Sequence, residues 1–347
     1  MIGRLTLAAF ISAAFISHTS AETNYTPNEQ ALYEAAKSEG SVTWYVSQYN
    51  TENADTICSL FSERYPGVAC NPVRSTGQVA FQRIQQELQA GALQADVFST
   101  NEDSQVLQLK GAGQLLKYVP ENLQHVVPRI REMGDPDGYW VASGVSPVVI
   151  LYNTKLVPEE EAPRNWTDLY DPKWKSQVAI GHPSFSGAVG VWATAINDLY
   201  GWEFFEKLEQ NQPHISRSIL DAQNLVGTGE RKISIASLSV ALQDMHLSGA
   251  PTAMVAPTDG MVMPVSVTSV LDAAQRPNAG KLLQEFLLSV EVSEYLASIY
   301  RYPLRPEVEV PKGSISLDEP NLIFIPAQEA LDKSMEIQGN FRDTFGI

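Results

Sequence analysis

From residue 41 to residue 113, short apolar runs alternate with longer amphipathic segments, and this rhythm restricts the fold more than any other feature of the chain. Residues 41–47 (SVTWYVS) read as a buried strand. Residues 54–64 follow as a helix, with Ile57, Leu60 and Phe61 at helical spacing. Residues 68–73 form a second strand, 77–90 a helix and 95–99 a third strand. A helix over 101–110 is stopped by Gly111 and Gly113. Strands separated by helices in this way predict an α/β fold with a parallel sheet.

The next stretch changes character. Residues 140–153 (WVASGVSPVVILYN) are a long β-rich run interrupted by Gly144 and Pro147, as expected where a chain crosses between lobes. A helix signal begins at Asn165. Strands are predicted over 178–180, 232–236 and 252–256, with helices over 187–199, 202–211, 221–227 and 238–247. Residues 263–269 read as the return crossing, and helices over 279–288, 292–299 and 326–341 close the chain. The first lobe is thus expected to comprise residues 22–143 and 262–347, and the second residues 144–261. A cleft between them would lie at the carboxyl ends of the strands, where open α/β sheets bind ligands.

The N-terminus reads as a secretory signal. Arg4 precedes an apolar run over residues 5–16, and small residues Thr19-Ser20-Ala21 precede Glu22, which predicts a signal peptide over 1–21 and a periplasmic product. No cysteine stands near the cleavage point to carry a lipid anchor. The formal net charge of −16 argues against nucleic-acid partners, which need a basic footprint. Cys58 and Cys70 are the chain's 2 cysteines, and in an oxidising compartment they are expected to form a structural disulfide.

Three blocks of sequence, taken together and in order, carry a resemblance. The first runs from Thr76-Gly77 through Arg83-Ile84, Glu87 and Ala95-Asp96-Val97 to Gly113-Gln114-Leu115-Leu116, Tyr118 and Pro120. The second joins residues 148–153 and Leu156-Val157 to Pro163-Arg164-Asn165-Trp166-Thr167-Asp168-Leu169 and Asp171-Pro172-Lys173-Trp174-Lys175. The third runs from Arg276-Pro277-Asn278-Ala279 through Phe286-Leu287-Leu288-Ser289 to Tyr302-Pro303-Leu304-Arg305. The chain resembles the ABC-transporter periplasmic binding proteins that include ferric-iron, thiamine, hexose-phosphate and 2-aminoethylphosphonate receptors. This implies the type II periplasmic binding fold, with two α/β lobes, two crossing strands and an interlobe cleft. It also implies a monomer that closes on a small solute and delivers it to ABC permease subunits, with no cofactor. Hinge closure is expected around 142–146 and 259–264, where Gly144 and Gly260 can absorb dihedral change.

The resemblance leaves the ligand open. Iron receptors of this family use two adjacent tyrosines where this chain has Ser237-Leu238-Ser239-Val240-Ala241, so a ferric-iron receptor is the alternative, not the leading reading, and no metal site is expected. Tyr152 and Tyr300 read as core residues more readily than as iron ligands. Hydroxyls and glycines where strands pass into helices are the candidate ligand contacts: Ser47, Gln48, Ser75, Thr76, Gly77, Thr100, Asn101, Ser184, Ser186, Gly187, Ser237 and Ser239. Each such position is also what plain N-capping would select. Arg74 adds a candidate charge for a phosphate or carboxylate, and Asp259 a candidate partner for an ammonium group. The expected ligand is therefore a phosphonate, phosphate ester or carboxylate, anionic or zwitterionic.

A secreted hydrolase fits poorly. The histidines (His18, His125, His182, His214 and His246) are scattered, and no HExxH, GxSxG or P-loop pattern occurs. No catalytic residue is predicted. His182, just before Pro183, stands near the expected cleft and reads as a loop residue.

Overall fold

A computed structural model describes residues 25–347, so the signal-peptide reading of 1–21 lies outside the described residues. The chain begins with α1 (Pro27–Glu39), a helix that the strand–helix reading omitted although its signals are local. Thr26 and Glu29 form a reciprocal capping box, Pro27 stands in the first turn, and Gly40 ends the helix in the left-handed region at φ 74°. There follow β1 (Ser41–Val46), α2 (Thr51–Arg64), β2 (Ala69–Arg74), α3 (Gly77–Gln89), β3 (Val97–Thr100), α4 (Asp103–Gly111), the single turn α5 (Pro128–Arg131) and β4 (Val141–Val145). Asn50 caps α2 by accepting from Asn53 N at 2.8 Å. Cys58 of α2 is joined to Cys70 of β2, as expected.

The second lobe holds β5 (Val148–Asn153), β6 (Val178–Gly181), α6 (Gly187–Tyr200), α7 (Glu203–Gln210), β7 (His214–Ser216), α8 (Ile219–Thr228), β8 (Ile233–Ser237), α9 (Leu238–Gln243) and β9 (Thr252–Val255). The last turns of α9 widen into a π-helix, Asp244–Ser248. The chain returns through β10 (Met261–Val262) to β11 (Val265–Val270), then adds α10 (Pro277–Leu287), α11 (Val290–Ser298), β12 (Leu322–Ile323) and α12 (Ala327–Phe345).

Each lobe is built on a five-stranded mixed sheet. The first has the order β2-β1-β3-β11-β4, and the second β7-β6-β8-β5-β9. Strands β1, β2 and β3 are parallel, and β11 runs antiparallel to β3 and β4. In the second sheet β6 is parallel to β7 and β8, while β5 is antiparallel to β8 and β9. The first passage between lobes takes only Ser146 and Pro147, because β4 ends at Val145 in one sheet and β5 starts at Val148 in the other. The ladder of β11 shifts register between Ser266 and Val267, opposite Gly144, and a bulge of this kind re-aims the neighbouring side chains.

The last part of the chain departs from the expected lobe assignment. Residues 262–347 do not all lie in the first lobe: β12 pairs with β10, and α12 packs on α6 and α7 as well as α4. Ile337 and Phe341 are buried in the second lobe's core beside Trp192 and Phe205, and Trp202 Nε1 donates to Thr344 Oγ1 at 2.8 Å. The chain therefore crosses three times, because the apolar stripe of α12 finds its burial on the second lobe. In the first lobe, β1, β3 and α10 are tied by Asp96, a fully buried carboxylate that accepts from Thr43 N at 2.8 Å and Arg276 Nε at 2.8 Å.

Candidate functional site

The strands of both lobes end on a common groove with two adjoining compartments. The inner cavity, of about 120 Å³, is walled on the first-lobe side by Ser47, Gln48, Tyr49, Asn50, Asn53, Asn101 and Arg301, and on the second by Ser237, Val240, Gln243 and Ile219. Ser146, Pro264 and Ser266 close its floor at the crossings. The outer compartment, about 360 Å³, shares Ser47, Asn101, Ile219 and Leu220 with the inner one and adds Arg74, Thr76, Gly77, Ser186, Arg217 and Asp221.

Arg301 gives the inner cavity its character. Its guanidinium lies 4.8 Å from the centre of the Tyr49 ring. Its Nε is buried with no hydrogen-bond partner, and among the described residues no carboxylate lies within ion-pair distance of it. Burial holds its pKa below the usual arginine value, and burial pushes the Tyr49 phenol up. Both amide atoms of Gln48 and the Nε2 of Gln243 are likewise buried and unsatisfied. Buried polar groups are hydrogen-bonded as a rule, and a cation left without a counter-ion in low dielectric is costly. Several orphaned polar groups, an unpaired cation among them, therefore converge on one cavity.

On the second-lobe side the hydroxyls are organised by Ser146. Its Oγ lies 2.7 Å from Ser237 Oγ and 3.2 Å from Ser239 Oγ, and accepts from Ser239 N at 3.2 Å. This ties the crossing to the start of α9. In the outer compartment Thr76 Oγ1 is buried without a partner. A Cβ at Gly77 would stand 3.0 Å from Thr100 Oγ1 and 3.5 Å from Ser47 Oγ, so glycine lets β3 and the end of β1 approach the start of α3. Arg74 Nε donates to Tyr49 O at 3.2 Å, and Arg217 lies 5.6 Å from the Phe185 ring centre; neither guanidinium is ion-paired among the described residues.

The structure thus gathers Ser47, Gln48, Arg74, Thr76, Gly77, Asn101, Ser186 and Ser237 around the groove. The other sequence candidates face elsewhere. Ser75 Oγ donates to Thr76 O, and buried Thr100 donates to Gln105 Oε1 at 2.9 Å. Ser184 reaches Gln338 of α12, Gly187 is pressed against Glu102, and Ser239 is held by Ser146. Asp259 accepts from Trp166 N at 2.9 Å and from the Tyr200 hydroxyl, so this carboxylate pins a loop of the second lobe. His182 accepts from Ser184 N through Nδ1 at 3.0 Å; burial first, and then Arg342, hold its pKa low, so it works as a neutral capping group. Sequence reasoning missed Arg301, Gln243, Tyr49, Ser146 and Arg217. Arg301 offered one signal: a cation set between Tyr300 and Tyr302 in a segment with no neighbouring acid.

Residues 94–333 match the family described as bacterial extracellular solute-binding protein. The chain belongs to that family. A Haemophilus influenzae protein described as uncharacterized is 25% identical over 273 residues, covering 76% of this chain and 77% of its own. Among solved structures, the periplasmic binding protein AfuA from Actinobacillus pleuropneumoniae, with fructose-6-phosphate bound, superposes with a TM-score of 0.81 at 21% identity over 89% of this chain and 99% of that one. Iron-bound HitA from Pseudomonas aeruginosa superposes with a TM-score of 0.74 at 21% identity, covering 88% and 99%. The fold is the type II periplasmic binding fold. Among the described residues no helix is long and apolar enough to cross a membrane.

Proposed function

We propose that this protein is the substrate-binding component of an ABC importer, and that it captures a small organic anion (a phosphate ester, phosphonate or carboxylate) between its lobes and hands it to permease subunits. The unpaired guanidinium of Arg301 carries this reading. An anionic head group in the inner cavity supplies the missing counter-ion, and the amides of Gln48 and Gln243 are placed to complete its hydrogen bonding. Arg74 and Arg217 line the outer compartment from opposite lobes, so the exposed part of the ligand also meets positive charge, with Asp221 the single lining carboxylate among the described residues. The related fold that holds a sugar phosphate supports the same chemical class. A bare ferric ion beside an unpaired guanidinium would be repelled. No turnover is required of such a receptor.

Calorimetric titration with fructose 6-phosphate, 2-aminoethylphosphonate, citrate and ferric chloride tests the reading, with mass spectrometry of whatever solute accompanies the protein from its periplasm. Removing a charged hydrogen-bond donor costs about 1.5–3 kcal/mol, so Arg301→Gln should weaken binding of the preferred anion roughly 10- to 100-fold. Binding of ferric ion alone, unchanged in Arg301→Gln, would overturn it.

A further inference from the structure

Helix α11 ends in a Schellman motif whose left-handed position is filled by the wrong kind of residue. Arg301 N donates to Leu296 O at 2.8 Å and Tyr300 N to Ala297 O at 3.1 Å, the pair of bonds that defines this helix end. The residue that must then take positive φ is normally glycine. Here it is Tyr300, at φ 57°. A bulky residue in this region is strained, and such strain persists where the surroundings hold it for another purpose.

The purpose is visible in what the ring touches. Tyr300 stacks on His246, with centroids 4.8 Å apart and planes inclined by 18°. His246 lies in the π-helical turn at the end of α9, and π-turns of this kind are locally distorted helix that recurs at functional sites. Tyr300 ends a first-lobe helix; His246 belongs to the second lobe. Each residue is also close in sequence to an orphaned group of the inner cavity. Arg301 follows Tyr300 directly, and Gln243 comes one helical turn before His246.

We propose that the Tyr300–His246 stack is an interlobe clasp that positions Arg301, holding the guanidinium and the Gln243 amide on the same cavity and coupling ligand capture to lobe closure. Tyr300 is a positioning residue. Among the described residues its hydroxyl has no hydrogen-bond partner, so the ring face does the work. The strained tyrosine is kept because a glycine would end the helix equally well and clasp nothing. The role of Arg301 rests on the anion reading above, whereas the clasp itself is a statement about lobe geometry and can fail separately.

The experiment uses the full mature chain with a spin label on each lobe, at the exposed positions Ala90→Cys and Glu209→Cys. Both native cysteines are in the disulfide, so labelling is specific. Pulsed electron resonance measures the interlobe distance with no ligand and with inorganic phosphate as probe, and calorimetry measures phosphate affinity. Tyr300→Gly is expected to leave the melting temperature unchanged or higher, because it relieves the backbone strain, yet to shift the distances toward the open form and weaken phosphate about tenfold. His246→Ala should do the same to distances and affinity, and Tyr300→Phe should restore wild-type behaviour. The clasp is overturned if Tyr300→Gly and His246→Ala keep wild-type distances. If the wild type binds neither phosphate nor any tested anion while the variants still open, the anion reading fails and the clasp stands.

Discussion

Glu102 of the first lobe packs directly against the backbone of Gly187 in the second, so closely that a Cβ at position 187 would stand 2.6 Å from Glu102 Cβ and 2.9 Å from Asn101 O. The start of α6 therefore meets the start of α4 with only a glycine between them, and this contact joins the two lobes. Gly187→Ala should hold them apart. Overpacking of this kind costs about 1–3 kcal/mol, and here it falls on closure and not on folding. The expected result is a roughly 5- to 150-fold loss of anion affinity with little change in melting temperature, read by calorimetry and thermal denaturation.

The same contact predicts a pH response. Burial pushes the Glu102 carboxyl up to about 7, and the neighbouring charge of Asp103 adds to it; burial pushes Asp103 itself up to about 6. With pKa values raised above the usual carboxylate range, the closed form binds more protons than an open form that rehydrates these groups. Closure is thus favoured at low pH and progressively opposed as pH rises from about 4.5 to about 7. Small-angle scattering of the ligand-free protein should show expansion across that interval. Glu102→Gln should remove most of it, and a radius unchanged from pH 4.5 to 8 would count against the coupling.

Asp96 and Arg276 should behave as a buried pair. Asp96 is fully buried, and Arg276 supplies both its backbone N–H at 3.1 Å and its Nε at 2.8 Å. Arg276→Met strands the carboxylate and should destabilise the first lobe by about 3–5 kcal/mol. Burial already raises the Asp96 pKa, and losing the cation raises it further. The damage should therefore fade as pH falls and the carboxyl protonates, which denaturant titrations at two pH values will detect. Asp96→Asn combined with Arg276→Met should recover part of the loss.

The disulfide closes a short loop, with Cys58 and Cys70 12 positions apart in sequence. Replacing both by serine should cost about 3 kcal/mol, chiefly by freeing the unfolded chain. The melting temperature should drop by several degrees. Anion affinity of the folded fraction should be unchanged, because neither sulfur lies on the groove.

Much of the architecture could be read from local pattern. The apolar runs at β1, β3, β5 and β8 and the amphipathic faces of α2 and α3 are set by residues a few positions apart, and the two-residue crossing at Ser146-Pro147 is announced by proline and glycine in a β-rich run. The short edge strand β7 escaped notice, since His214-Ile215-Ser216 has too few residues to show a period. The hydroxyl-rich strand ends at Ser47, Thr76, Asn101 and Ser237 were legible as groove residues. Ser75, Ser184 and Asp259 carried the same local signal and were spent inside their own lobes, because capping and ligand binding select the same residue types.

Local order in this chain was determined by its own succession of residues: apolar periodicity, caps, glycines and prolines act over one or two turns and do not depend on what lies opposite. Which polar groups are left without partners was decided only by the tertiary structure. Arg301 is an ordinary arginine in sequence. Only chain folding sets its guanidinium over Tyr49, with no carboxylate in ion-pair distance among the described residues, beside amides contributed by distant segments. The lobe that α12 completes was decided in the same way, since an apolar stripe specifies that it will be buried but not against what.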